Sequence, residues 1–260
     1  MNTVLERVRA GKPIYDTPVI DMHGHLGRYN FGIPDLRVRS LVEEMDRMGV
    51  ESIVVSHMQT MGDEAHRGNE EVFQAMEAYP GRIRGYVAVW PENPDSVGRE
   101  VEARLEDGFT GVKLHNGNGF SYDDPAYEPV LEICNERRRP LLLHTWAEEE
   151  TFETVREIAG RYPQIAILLA HAAVMREEDY VALANDFEHV YLDPTMSSTP
   201  RGLWERLVEA VGPEKLVWGS DAWFFSATPQ LGKLAGAKIG EEAKRTILGG
   251  TARKILGRTE

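Results

Sequence analysis

Six of the eight histidines in this chain of 260 residues stand at one kind of place, the end of a short apolar run: His23 with His25, His57, His115, His144 and His171. His66 and His189 lie elsewhere. Imidazole nitrogen and carboxylate oxygen together suit Zn²⁺, Mn²⁺ or Fe²⁺. His23, His25, His144 and His171, with Asp221 closing the run "KLVWGSD", are therefore candidate donors to a divalent ion. In "PVIDMHGHLGR" the first two histidines are two residues apart, so on a strand they share a face and can converge on one ion. Lys113 and His115 share a face for the same reason.

The elements that must carry these residues recur at a spacing of roughly 25 to 32 residues, each a run rich in Val, Ile and Leu followed by a charged segment of helical period. Eight runs are present: "VIDMHGH" (19–25), "ESIVVSH" (51–57), "IRGYVAVW" (83–90), "FTGVKLH" (109–115), "RPLLLHT" (139–145), "QIAILLAH" (164–171), "HVYLDPT" (189–195) and "KLVWGSD" (215–221). Helices are expected over 36–48, 64–79, 94–107, 125–137, 148–162, 177–186, 200–211 and 241–256. Near-continuous apolar strands alternating with helices predict a parallel sheet covered by helices. Eight such units, with no Gly-rich phosphate turn, predict an α/β fold of the (β/α)₈ TIM-barrel type in one domain over 18–260. Residues 1–17 read as a short helix and an arm that could cover the barrel bottom. Such barrels place their chemistry at the C-terminal ends of the strands, which is where the histidines fall.

A formal net charge of −13 excludes a nucleic-acid partner, because phosphate binding needs a basic face and the one Lys/Arg cluster, "ERRRP", sits at a helix end. No 18-residue apolar stretch and no leader h-region is visible, so neither membrane insertion nor secretion is expected. The single cysteine, Cys134, cannot form an intrachain disulfide and suits a reducing, cytoplasmic setting.

With the HxH of the first run, "LLLHTW", "LLAHAA", "VWGSDA" and "GVKLH", the chain resembles the metal-dependent amidohydrolase superfamily, most closely its amidohydrolase-2 branch. The resemblance covers about 18 to 256 and implies a TIM barrel. It implies His23, His25, His144 and Asp221 as metal ligands, with His171 either a ligand to a second metal or a catalytic, substrate-polarising residue. One divalent metal is expected, zinc first, with manganese or iron as the other choices. Relatives are often dimeric, which puts a homodimer among the expected assemblies and leaves the oligomeric state open.

Lys113 has two readings: an ammonium paired with a carboxylate such as Asp21, or touching substrate, and a carbamate bridging two metals. An unpaired buried charge is costly. Around the same rim His57 and His115 could contact substrate or simply satisfy strand ends, and Arg28 could anchor a substrate carboxylate or face solvent. Trp90, Trp146 and Trp223 could wall a planar pocket or exclude water. Asp193 reads as structural.

From the ligand set, the expected function is hydrolysis of a small-molecule amide, lactone or other carboxylic ester by metal-activated water, Asp221 acting as general base and His171 polarising the carbonyl. The alternative is metal-dependent, non-oxidative decarboxylation, or hydration, of an unsaturated or aromatic acid. A non-catalytic ligand-binding barrel is the most distant option.

Overall fold

The apolar runs form strands buried on both faces, and alternate residues divide between two cores. The computed structural model describes residues 3–257 except 31, 34, 63, 92 and 224. Seven strands follow in chain order: β1 (Ile20–Leu26), β2 (Ser52–His57), β3 (Ile83–Ala88), β4 (Gly111–Leu114), β5 (Pro140–His144), β6 (Ala166–Ala170) and β7 (Val190–Asp193). Each pairs in parallel with the next, giving a curled half-barrel. Val54, Leu142 and Leu168 point into an inner cluster, while their neighbours Ile53, Val55, Leu141, Leu143, Ile167 and Leu169 pack outward.

The outer layer consists of α1 (Val4–Arg9), α2 (Val38–Met48), α3 (Ala65–Ala78), α4 (Pro94–Glu106), α5 (Glu128–Glu136), α6 (Glu149–Arg161), α7 (Glu177–Asp186), α8 (Leu203–Val211), α9 (Ala227–Gly236), α10 (Glu241–Arg245) and α11 (Thr251–Leu256). None of the described helices is long and apolar enough to cross a membrane. The expected helix over 241–256 is interrupted by a π-helical turn, Thr246–Gly250, where a Cβ on Gly249 would lie 2.3 Å from the Pro18 carbonyl. Helix α9 was not expected from its pattern.

The eighth run departs from a regular strand. It makes isolated parallel bridges to both neighbours, Leu192 with Leu216 and Gly24 with Ala222. The Val217 amide donates to Leu192 (3.0 Å), the Met22 amide to Trp218 (3.0 Å) and the Asp221 amide to His23 (2.8 Å). Between these bonds the ladder gives way to side chains. The Ser220 amide donates to Asp21 Oδ1 (3.0 Å), and Asp221 turns into the left-handed region at φ 60°. Gly219 is pressed so close that a Cβ there would sit 2.7 Å from both His23 Cβ and Thr195 Oγ1.

The bottom of the half-barrel is filled from the other end of the chain than expected. Ala252, Ile255 and Leu256 of α11 join the inner cluster of Ile20, Met22, Val54, Tyr86 and Val217. Helix α1 instead lies against the C-terminal helices, its Val4 amide donating to Glu241 (2.8 Å). Residues 1, 2 and 258–260 of the expected arm and barrel lie outside the described residues.

Candidate metal centre and active site

The ladder between β1 and β2 shifts register between Asp21 and Gly24, a span that contains His23, and the His23 and His25 rings meet edge to face with centroids 5.1 Å apart. Gly24 is required there, since a Cβ would come 2.4 Å from Ile53 Cδ1. His23 Nε2 and His25 Nε2 are 3.2 Å apart, and Asp221 Oδ1 lies 3.1 Å from His25 Nε2 and 3.7 Å from His23 Nε2. His171, at φ 61°, brings its ring centroid to 5.0 Å from that of His23. Among the described residues, His23, His171 and Asp221 each offer one donor atom within 4.8 Å of the others. Two of these three sit in the left-handed backbone region, a strained conformation that clusters at functional sites.

The environment fits a divalent cation. His23 Nδ1 lies 2.7 Å from Asp193 Oδ2, His25 Nδ1 is 3.2 Å from Ser56 Oγ, and His171 Nδ1 donates to the Thr195 carbonyl at 2.6 Å. With those nitrogens engaged, the Nε2 atoms face the centre. His144 Nε2 is buried and has no hydrogen-bond partner among the described residues, a loss of about 1–3 kcal/mol unless a ligand satisfies it. His144 lies beside the group, its ring centroid 4.6 Å from that of His171.

Charge at the centre is arranged the same way. Burial, reinforced by the Lys113 ammonium, holds His23 well below the ordinary imidazole range, and burial lowers His171 as well. Asp221 is pushed up by burial but ends below its ordinary value, because the hydrogen bond from His25 favours the carboxylate. Neutral rings at His23 and His171 beside an ionised Asp221 are the protonation state that metal ligation needs.

Lys113 faces inward from β4, between the outward Val112 and Leu114, with Nζ 3.5 Å from His23 Nε2. Burial pulls its ammonium down to about 8, opposed by the charges of Asp221 and Asp193. The expected partner Asp21 is committed elsewhere, accepting the amides of His23 (3.1 Å) and Ser220 (3.0 Å).

The rim residues divide. His115 stacks on His144 at 3.7 Å and 17°, and Trp146, 43% exposed, stacks on His171 at 5.3 Å and 11°. These two join the centre. His57 has both ring nitrogens committed, Nδ1 to the Gln59 amide and Nε2 to Glu71, each at 3.2 Å. Trp90 packs edge-on against Phe120 at 5.8 Å, and Trp223 packs on the outer core. Arg28 is exposed and lines a separate cavity of about 400 Å³ with Tyr29 and Leu36.

Sequence reasoning missed the residues behind the candidate donors. Asp193, expected to be structural, pairs with His23, while Ser56, Thr195 and Tyr122 carry no expectation from the sequence. The Tyr122 hydroxyl donates to the His144 carbonyl (2.5 Å) and accepts the Asn116 amide (3.0 Å), tying the loop after β4 to β5. The single signal for Asp193 was its position at the end of a strand.

A family model described as amidohydrolase (Amidohydro_2) matches residues 20–258. The chain belongs to the amidohydrolase family. The chain is 26% identical to the gamma-resorcylate decarboxylase of Polaromonas sp. over 53% of its own length and 58% of that protein, so it spans less than two thirds of that relative. An uncharacterized TIM-barrel protein from Bordetella bronchiseptica superposes with a TM-score of 0.78 at 16% identity, covering 93% of this chain and 99% of that one. A dihydroxybenzoic acid decarboxylase from Polaromonas sp., solved with bound manganese and the inhibitor 2-nitroresorcinol, gives a TM-score of 0.74 at 16% identity, covering 94% and 98%. At these identities the two structures establish the likeness of fold.

Proposed function

We propose that this chain is a divalent-metal-dependent, non-oxidative decarboxylase of a hydroxylated aromatic carboxylic acid. The observation that carries the reading is the pair of parallel ring stacks at the centre, His115 on His144 and Trp146 on His171, which forms a wall suited to a planar ring. The 26% identity to a gamma-resorcylate decarboxylase supports it. The expectation of hydrolysis is corrected by that relative, a decarboxylase in name, as is the manganese-bound structure. The physical reason is the buried Lys113 ammonium beside His23, which attracts an anionic substrate and would have no counterpart in a neutral amide or lactone.

We assign one ion, with His23, His25, His144 and Asp221 as the residues that would hold it; manganese is the first choice because the manganese-bound relative shares the fold. When bound, it supplies Lewis acidity toward the substrate's carboxylate and a neighbouring oxygen. Lys113 draws the carboxylate in, and Trp146 and His115 hold the ring plane. Asp221 enters ionised, so any proton it delivers is one it has first taken up. A hydroxyl ortho to the carboxylate supplies that proton. Asp221 then returns it to the ring carbon bearing the carboxylate, the carbon–carboxylate bond breaks with its electron pair restoring the aromatic ring, and CO₂ leaves. The product phenolate takes its final proton from solvent. His171 donates from Nδ1 to the Thr195 carbonyl, which leaves Nε2 as an acceptor for a substrate hydroxyl.

In the same reading residues 18–260 form one domain, and the segment 216–222 is the eighth stave of a closed barrel, supported by its bonds to β7 and β1. Exposed Met175 and Phe225, on loops at the same end as Trp146, support a homodimer, which light scattering would test. A panel of hydroxybenzoates, N-acyl amides and lactones, assayed for CO₂ with Mn²⁺ or Zn²⁺ added to metal-free protein, tests the activity. CO₂ and the matching phenol from a 2-hydroxybenzoate are expected. Hydrolysis of an amide or lactone, with no CO₂ from any aryl acid, would overturn the assignment.

A further inference from the structure

Two of the histidines at the centre are held by one short piece of chain, the turn at 193–195 that follows β7. Asp193 Oδ2 meets His23 Nδ1 at 2.7 Å with both side chains fully buried, and the Thr195 carbonyl accepts from His171 Nδ1 at 2.6 Å. The remaining carboxylate oxygen is also committed: Asp193 Oδ1 accepts the Thr195 amide at 3.2 Å and, by a short bond, the Thr195 hydroxyl. Gly219 packs against the turn from the other side, where a Cβ would lie 2.7 Å from Thr195 Oγ1 and 3.0 Å from Asp193 Oδ1.

We infer that this turn is a tautomer clamp, a positioning element that forces His23 and His171 to carry their proton on Nδ1 and so to present a bare Nε2 to the centre, which for His23 is the atom that would meet the metal. The argument needs only donor and acceptor chemistry. An ionised carboxylate oxygen and a backbone carbonyl can accept but cannot donate, so the facing nitrogen must carry the hydrogen and the opposite nitrogen must be the lone pair. His25 differs, because its Nδ1 faces the Ser56 hydroxyl, a group that can donate or accept. The clamp therefore acts on the two histidines that share the compact donor group with Asp221. It spans the barrel, joining β7 to β1 and β6, and Gly219 lets the eighth segment close behind it.

This inference rests on the reading of His23 as a ligand, with His171 a neighbour in the same centre, and it makes a counterintuitive prediction. In Asp193→Asn the side chain keeps its shape. Thr195 still donates twice toward the Oδ1 position, so the amide oxygen must sit there and the NH₂ group must face His23 Nδ1. That donor drives His23 to the Nε2–H tautomer, the form that cannot ligate. In Asp193→Ala the ring is merely released. Mn²⁺ affinity, measured by calorimetry on metal-free protein, should thus fall in the order wild type, Ala, Asn, with Asn about 10–100-fold weaker than wild type. A packing role predicts the reverse order, the isosteric Asn staying closer to wild type than Ala.

Imidazole ¹⁵N shifts of the metal-free proteins give the second readout. His23 should be Nδ1–H in wild type and Nε2–H in Asp193→Asn, with His171 unchanged. Asn binding Mn²⁺ more tightly than Ala, or His23 keeping Nδ1–H in the Asn variant, would overturn the clamp. Should Ala fail to fold, the Asn protein against wild type still decides by both readouts. A wild type that takes up no Mn²⁺ would defeat the metal reading alone, since the ¹⁵N shifts judge the clamp without metal.

Discussion

Gly27 shows how closely the residues behind the centre are fitted. It sits at φ 87°, and a Cβ there would lie 2.2 Å from His57 Nε2, on a ring already pinned by Gln59 and Glu71. Gly27→Ala combines left-handed strain with a clash the ring cannot escape, and should destabilise the fold by about 1–3 kcal/mol in urea unfolding. Wild-type stability in that variant would show the His57 ring free to move. At the centre, Asp221→Asn should lower turnover at least about 10²-fold at saturating substrate, the scale of a lost proton carrier. Metal content measured on the same sample separates that from loss of the ion; an active, metal-loaded Asp221→Asn would remove Asp221 from the chemistry. What was legible at this scale was donor type and position: histidines at strand ends. What was not legible was the partner of each ring. Asp193 and His23 are 170 positions apart, and only the curl of the sheet makes them neighbours.

The elements were legible wherever burial is two-sided. Seven of the eight apolar runs became strands because Val, Ile and Leu on both faces leave no other way to bury the segment. The eighth carries the same apolar signature, but the Ser220 amide is spent on the Asp21 side chain and Asp221 turns into the left-handed region, which interrupts the regular ladder. Helix α9 escaped notice because "ATPQLGKLAG" carries Pro and two Gly, poor helix formers that tertiary packing of Leu231 and Leu234 overrides. The choice of bottom plug could not be read either, since α1 and α11 are both short and amphipathic. Ile255 of α11 is fully buried in the inner cluster, so Ile255→Ala should cost about 2–5 kcal/mol and lower the denaturation midpoint. A loss below about 1 kcal/mol would mean that α11 contributes little to closing the barrel floor.

For the whole molecule, charge and burial together set the response to acid. At −13 and a pI near 5.2, the surface loses its net repulsion as the pH falls through the range where the histidines titrate. Burial holds His57 below its ordinary 6.5 despite the nearby Glu71 carboxylate, so the folded protein keeps this ring neutral where the unfolded chain protonates it. Below about pH 6.5 the unfolded state binds the extra proton, and the stability present above that pH is lost as the pH falls toward the lowered folded value. One such group steepens the decline by at most about 1.4 kcal/mol per pH unit. Urea unfolding at steps between pH 7.5 and 5 reads that slope directly. His57→Gln lacks the titrating ring, so whatever it loses in absolute stability, its profile should be flatter than wild type over the same window. Parallel profiles would mean that His57 carries the same proton in both states, and that its burial between Gly27 and Gly68 leaves its charge unchanged.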